Sequence, residues 1–305
     1  MRAVRAALWA LALGAGGCGG ERAGESASGS TSAGESGSTS ASASGSKSES
    51  EGAPLEGSIA VLTYNVAGLP QGISGSNPEV NMPLISPLLN QHELVLVQED
   101  FYYHEALYAD ATHPYKSERS GDGVNDLGDG LNFLSMAPLG PLTRVTWEAC
   151  FGTLGNGSDC LAKKGFAVAA IELAPGVTID VYDLHMDAGR DPEDAAARMA
   201  QVEQLVAAIA ARSGDRAIVV AGDTNMKAGD EAALAALKDG AGLTDSCEAL
   251  ACGDELRIDR VLYRSSAALE VWATEWRLDE SFVDGEGAPL SDHEAVAVAL
   301  AWRAG

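Results

Sequence analysis

Asp259, Asp292 and His293 stand in two short pieces, Arg257-Ile-Asp-Arg and Leu290-Ser-Asp-His, near the end of the chain. A histidine with a carboxylate available to hold one ring nitrogen, followed by the apolar run Glu294-Ala-Val-Ala-Val-Ala-Leu, reads as a positioned general base. Asp259 is the expected orienting partner, because a carboxylate on the far nitrogen fixes the tautomer and stabilises the imidazolium. Four more polar pieces precede these, each closing an apolar run: Val61-Leu-Thr-Tyr-Asn65, Leu94-Val-Leu-Val-Gln-Glu99, Val181-Tyr-Asp-Leu-His185 and Ile218-Val-Val-Ala-Gly-Asp223-Thr-Asn225. Oxygen donors with few nitrogens and no thiolate suit a hard divalent ion, Mg²⁺ or Mn²⁺ before Zn²⁺. Glu99 is the expected direct ligand, with Asn65 contributing a neutral oxygen or holding a bound water. Such a set could hydrolyse a phosphodiester, which needs a cation on a nonbridging oxygen, an in-line water, a base for it and support for the departing oxygen.

Delivering these residues to one place is the task of the apolar runs. Four to six aliphatic or β-branched residues ending in a polar one describe strands of a buried sheet that open on a crevice at their ends. Strands are expected near 59–65, 94–98, 130–135, 165–172, 177–185, 217–222, 258–263, 268–275 and 294–302. Asp191-Pro192-Glu193 is a helix start, and Met199, Val202, Leu205, Val206 and Ile209 form a stripe at helical spacing. A second helix is expected after Asp230, stopping at Gly240, and a third over 82–90. Asp223 and Asn225, one residue apart, can both face the crevice.

The ordered set Asn65, Glu99, His185, Gly222-Asp-Thr-Asn225, Ile258-Asp-Arg and Ser291-Asp-His resembles the endonuclease/exonuclease/phosphatase superfamily, from about Ile59 to Trp302. Gly128-Asp-Gly-Leu-Asn-Phe-Leu-Ser135, Lys164-Gly-Phe-Ala-Val and Leu184-His-Met-Asp-Ala-Gly189 look most like its bacterial sphingomyelinase-like branch. The resemblance implies a four-layer α/β sandwich with two central mixed sheets flanked by helices. It also implies that Asp292 completes the metal site, that Asp223 and Asn225 orient water and phosphoryl oxygens, and that His185 supports the transition state or leaving group. Asn132 and Lys164 are further candidates for substrate contact, and Asp187 for either the site or a loop cap. Tyr102 and Tyr103, next to Glu99, could hold a quaternary ammonium by cation–π attraction or simply pack at the rim. In one respect the chain departs from the secreted sphingomyelinases, which carry a long aromatic-tipped hairpin before the Ser-Asp-His piece. Here only about thirty residues separate Asp259 from Ser291, with Trp272, Trp276 and Phe282 among them, alternating with polar residues.

The expected activity is therefore a Mg²⁺-dependent phosphodiesterase directed at a phospholipid such as sphingomyelin, acting as a monomer. Two alternatives are an exported endonuclease on the same scaffold and a degenerate surface-binding domain. The first meets an obstacle in the formal charge of −24. Residues 1–18 carry two arginines and residues 19–56 carry six acids against two bases, which leaves −22 on 57–305 and no basic stripe for a nucleic acid. The second is disfavoured because every expected catalytic position is filled.

Arg2 and Arg5, the short apolar run Ala6–Ala12 and the small residues before Cys18 resemble a lipoprotein signal, with Cys18 lipidated as the membrane anchor; ordinary cleavage and secretion are the alternative. Residues 19–56, rich in Ser, Gly, Ala and Glu, read as a disordered tether with a reach of roughly 35 Å, and 57–305 as the catalytic domain. Export agrees with four further cysteines, Cys150, Cys160, Cys247 and Cys252, in two local pairs whose connectivity the spacing leaves open.

Overall fold

A computed structural model describes residues 55–121, 126–152, 159–254 and 257–305. The signal segment, Cys18 and all but the last two residues of the expected tether lie outside the described residues. The described elements are, in order, β1 (Glu56–Asn65), α1 (Pro78–Leu88) with a 3₁₀ turn (Leu89–Gln91), β2 (Leu94–Gln98), α2 (His104–Tyr108), β3 (Tyr115–Lys116), β4 (Asn132–Ser135) and β5 (Thr143–Thr146). After a 3₁₀ turn (Asp159–Leu161) come β6 (Gly165–Ala174), β7 (Val177–His185), α3 (Pro192–Ser213), β8 (Ile218–Asp223), α4 (Glu231–Ala241), β9 (Thr244–Asp245), α5 (Ser246–Ala249), β10 (Asp259–Arg264), β11 (Leu269–Leu278) and β12 (Val296–Ala304).

The strands make two six-stranded sheets, β11-β12-β1-β2-β4-β3 and β5-β6-β7-β8-β10-β9. Each is mixed, with one central parallel pair, β1 with β2 and β7 with β8. Period-two alternation explains the layers. Val61, Leu96, Phe133, Val181, Ala221 and Val261 point between the sheets and form one core. Their neighbours point outward, Leu62, Tyr64 and Val97 under α1 and α2, and Tyr182, Leu184 and Val220 under α3 and α4. The expected four-layer sandwich is the observed one.

Local chemistry sets the helix ends. Pro192 occupies the first turn of α3, and the Asp194 carboxylate accepts the Asp191 backbone N–H at 2.8 Å. The Val202, Leu205 and Ile209 stripe is buried against β7 and β8. Helix α4 runs through Gly240 rather than stopping there, and ends where Gly242 takes φ 66°, the left-handed conformation in which a glycine terminates a helix. The helix expected over 82–90 begins four residues earlier, on Pro78.

Elements the sequence pattern does not announce are short or exposed. β3 and β9 are two residues each, and β5 is an edge strand with a mostly exposed Thr-Arg-Val-Thr sequence. The segment between β11 and β12 carries no aromatic tip: Phe282 is buried against Tyr64 with ring centroids 4.8 Å apart, and the turn is Asp284–Gly287, held by the Asp284 carboxylate. Trp272 and Trp276 lie on β11 beneath the guanidiniums of Arg303 and Arg257. The cysteines pair locally, Cys150 with Cys160 and Cys247 with Cys252. No described helix is long and apolar enough to cross a membrane.

Candidate active site

The two parallel pairs end at the same edge of the sandwich. In β1 and β2 the register places Asn65 beside Gln98, so that Glu99 is the next residue out; in β7 and β8 it places His185 beside Asp223, and β10 sets Asp259 opposite Asp223. All five strands present Asn65, Gln98, His185, Asp223 and Asp259 on the faces that meet between the sheets. Beyond β2 the chain turns sharply, with Glu99 at φ 59°. Gly68 lets the β1 loop reach that turn, since its N–H donates to the Glu99 carbonyl at 3.1 Å and a Cβ there would stand 2.3 Å from the same oxygen. Asn225 likewise sits at φ 51°; two non-glycine residues held left-handed at one site is strain of the kind found at functional loops.

Their side chains form one connected group. Asn65 Nδ2 donates to Glu99 Oε1 and Asp223 Oδ2, each at 3.2 Å. His185 Nε2 lies 3.3 Å from Asp223 Oδ2 and 3.9 Å from Glu99 Oε1. Asn225 donates to Asp223 through its backbone N–H at 2.8 Å and its side-chain amide at 3.1 Å. His293 Nδ1 lies 2.9 Å from Asp259 Oδ2, and its Nε2 is 3.8 Å from Asp223. The Ser291 hydroxyl ties the His293 loop to β1 by donating to the Asn65 carbonyl at 2.7 Å.

Electrostatics separates the two histidines. Burial pushes His185 well below the ordinary imidazole value, and Lys164 and His293 push the same way, which favours the neutral imidazole. Burial alone would lower His293 too, but the hydrogen bond and charge of Asp259, with Asp223 and Asp292 behind them, outweigh it and carry the pKa to about 9. Burial raises Glu99, against the opposing field of Lys164 and the Asn65 hydrogen bond; it raises Asp223 to about 6, with Asp259 adding to it. Among the described residues, only imidazoles approach Glu99, Asp223 and Asp259 within ion-pair distance, and Asp259 Oδ1 is buried with no partner. An oxygen-rich set so short of positive charge fits a hard divalent cation.

Several expected residues stand elsewhere. Asn132 does not face the crevice: β4 pairs it with Val97, on the outer face of the sheet, while Leu131 and Phe133 take the inner one. Its amide binds Asp100, Arg144 and Ser117. Lys164 lies behind the His185 loop, engaged by Asp159 and the Met186 carbonyl. Asn65 stays at the site, with its amide oxygen accepting from the Ala67 N–H at 3.0 Å and its nitrogen steadying the Glu99 carboxylate. The Asp292 side chain is exposed against Gly75, where a Cβ would lie 2.2 Å from Oδ2. Asp187 is wholly buried, accepting from the Phe151 N–H and the Gln201 amide, and burial raises it to about 6. Tyr102 is exposed, edge-on to Tyr103, whose hydroxyl accepts from the Gln71 N–H.

Sequence reasoning missed a polar layer directly beneath the site. Thr63, Gln98 and Asp183 face inward like Asn65 and His185, and Gln98 Nε2 bridges the sheets to Asp183 Oδ1 at 2.6 Å and to Thr63 Oγ1 at 3.1 Å. The signal was available, because Thr63 and Asp183 lie two residues before Asn65 and His185, and Gln98 two after the inward Leu96, so alternation places all three on the inner face.

Comparison with known proteins agrees with this geometry. The Endonuclease/Exonuclease/phosphatase family model matches residues 62–293. The chain belongs to this family. It is 32% identical over 268 residues to a sphingomyelinase of Mycobacterium bovis, covering 80% of this chain and 53% of that protein. The chain thus spans about half the length of the curated relatives it matches. Sphingomyelinase C from Streptomyces griseocarneus superposes with a TM-score of 0.56 at 21% identity, covering 80% of this chain and 99% of that one. A humanized D. rerio TDP2 superposes with a TM-score of 0.62, also at 21% identity, covering 80% and 98%. At these identities the superpositions establish the shared fold.

Proposed function

We propose that the chain is a Mg²⁺-dependent phosphodiesterase that hydrolyses a phospholipid, sphingomyelin or a close relative, by direct attack of water. The observation that carries this reading is the meeting of Glu99, Asp223 and Asp259 with two histidines of opposite protonation tendency and no ammonium or guanidinium among them. Glu99, steadied by Asn65, would hold the cation. When bound, Mg²⁺ supplies positive charge to a nonbridging phosphoryl oxygen.

The remaining steps belong to side chains. His293 takes the proton of the attacking water at Nε2, while Asp259 holds Nδ1 and steadies the imidazolium that forms. Asp223 lies between both imidazoles and, with Asn225, orients water and phosphoryl oxygens. His185, neutral, presents Nε2 to the charge that develops on the phosphoryl group or the leaving oxygen. The lipid preference draws on the 32% identity to sphingomyelinases and on the −22 charge of residues 57–305, which repels nucleic acid. Tyr102, exposed beside the Glu99 turn, is available to a quaternary ammonium. A chain exported and anchored through Cys18 would meet such lipids at the cell envelope.

The test is Mg²⁺-dependent turnover of sphingomyelin in mixed micelles by the full chain, with supercoiled plasmid in parallel and His293→Ala as control. Phosphocholine release without nicking is expected. Nicking without lipid turnover would make the chain a nuclease on this scaffold.

A further inference from the structure

Beside the turns that follow β7 and β8 lies a second cavity of about 440 Å³, bounded by residues 189–192, Ala195, Arg198 and residues 227–230. These turns carry the site: four residues before Gly189 is His185, and two before Lys227 is Asn225. They are joined to each other, since the Asn225 amide donates to the Met186 carbonyl at 3.1 Å and Lys227 Nζ reaches the Gly189 carbonyl at 3.4 Å.

Three cations border this cavity, in a chain of 44 acids and 20 lysines and arginines. Arg198 is buried and neutralised, donating to Asp230 through Nη2 at 2.9 and 3.0 Å and through Nε at 3.2 Å. Arg190 and Lys227 are different. Among the described residues no carboxylate comes within 4.0 Å of either, and Arg190 is exposed with no side-chain partner. The acids on the lining are already engaged, Asp230 by Arg198 and Asp191 as the cap of α3. Burial, then the guanidiniums of Arg198 and Arg190, push the Lys227 ammonium below its ordinary value in spite of the fields of Asp223 and Asp230, as befits a half-buried cation without a counterion.

We infer that this cavity is a second anion subsite, in which Lys227 and Arg190 take a phosphate-type anion beside the loops that carry His185 and Asn225. The anion is either the phosphate of a second, anionic phospholipid in the same interface or a soluble phosphate. The inference rests on the phosphodiesterase reading only in naming a lipid as one source. An anion seated there would fix both turns, and with them the placement of His185 and Asn225.

The experiment is binding rather than turnover, so that it stands apart from the catalytic reading. The full chain is titrated in EDTA, which removes any metal from the catalytic cleft, with inorganic phosphate and, separately, with phosphatidylcholine vesicles lacking or containing phosphatidylglycerol. The Lys227→Gln/Arg190→Gln double variant is compared with wild type and with Lys163→Gln/Arg303→Gln, which removes two positive charges elsewhere. The expected result is binding of at least one ligand by wild type and the charge control, weakened roughly tenfold or more in the double variant. Phosphatidylglycerol-dependent binding alone identifies the lipid source, and binding of phosphate alone the soluble one. Equal affinity in all three proteins, or no binding of either ligand by wild type, overturns the subsite. An inactive wild-type chain that still binds in this way would leave the subsite standing while removing the catalytic reading.

Discussion

Among the described residues two acidic clusters come together, and they differ in how well they suit a cation. Asp159, Asp187 and Asp194 bring their carboxylate oxygens as close together as the carboxylate oxygens of Asp223 and Asp259 and a ring nitrogen of His293 come, within 4.8 Å in each group. The first cluster is filled by protein donors: Lys164 and the Ala188 N–H on Asp159, the Phe151 N–H and Gln201 on Asp187, the Asp191 N–H on Asp194. It caps α3 and ties the turn after β7 to the segment around Phe151. The second, with Glu99 beside it, receives only amides and imidazoles, and leaves a buried carboxylate oxygen with no partner. The charge of the donors, not the nearness of the acids, distinguishes a cap from a metal site.

Substitution should separate the two clusters sharply. His293→Ala should lower kcat by roughly two to four orders of magnitude with an unchanged circular dichroism spectrum. Asp194→Asn should leave kcat within a few-fold and lower stability by about 1 kcal/mol, through the weakened α3 cap. A comparable loss of kcat in both variants would erase the distinction. Next in size is metal response. Mg²⁺ should raise the Tm of wild type and of Asp187→Asn, whereas Glu99→Gln should abolish the rise; thermal melts with Mg²⁺ and with EDTA decide it.

Asp259→Asn addresses the base itself. In the metal-free chain His293 is protonated up to about pH 9, because its bond to Asp259 and the nearby carboxylates outweigh burial. Without the Asp259 charge burial prevails, so the titration of the His293 ring, followed by NMR, should move to lower pH. The turnover of this variant should fall although more of its base is deprotonated at neutral pH, since orientation and imidazolium support are lost together. An unmoved titration would mean that Asp259 does not set the state of His293.

How much of this was legible follows from which residues act locally. The apolar runs ending at Asn65, Glu99, His185 and Asp223 are strand ends readable from composition, and the parallel pairing that gathers them is implied by intervening helices such as α3. Gly242 rather than Gly240 as the stop of α4 was not readable, since both are glycines and only φ distinguishes them. Asn132 shows the limit of alternation. Pairing with Val97 puts it on the helical face, opposite Leu131 and Phe133, and that depends on a partner strand more than thirty residues away. Nor does sequence reveal that the Asn65 oxygen is taken by Ala67.

The remaining effect lies in the pH dependence of stability. Asp223 and Asp187 are both carried to about 6 in the fold, chiefly by burial, from an ordinary value of 3.8. Each folded carboxyl therefore holds its proton more tightly than the unfolded one, so metal-free stability should fall as pH rises from about 4 to about 6, on the order of 2 to 3 kcal/mol per group at most. The clusters should then part company. Mg²⁺ bound at Glu99, as proposed, would relieve the cost of ionising Asp223 but not that of Asp187. Asp187→Asn should flatten the pH slope of Tm with or without Mg²⁺, and Asp223→Asn should flatten it only in EDTA. An Asp223→Asn protein that behaves alike in Mg²⁺ and EDTA would mean that the cation does not reach the cluster around Asp223, and the two acidic groups would have to be read as equivalent.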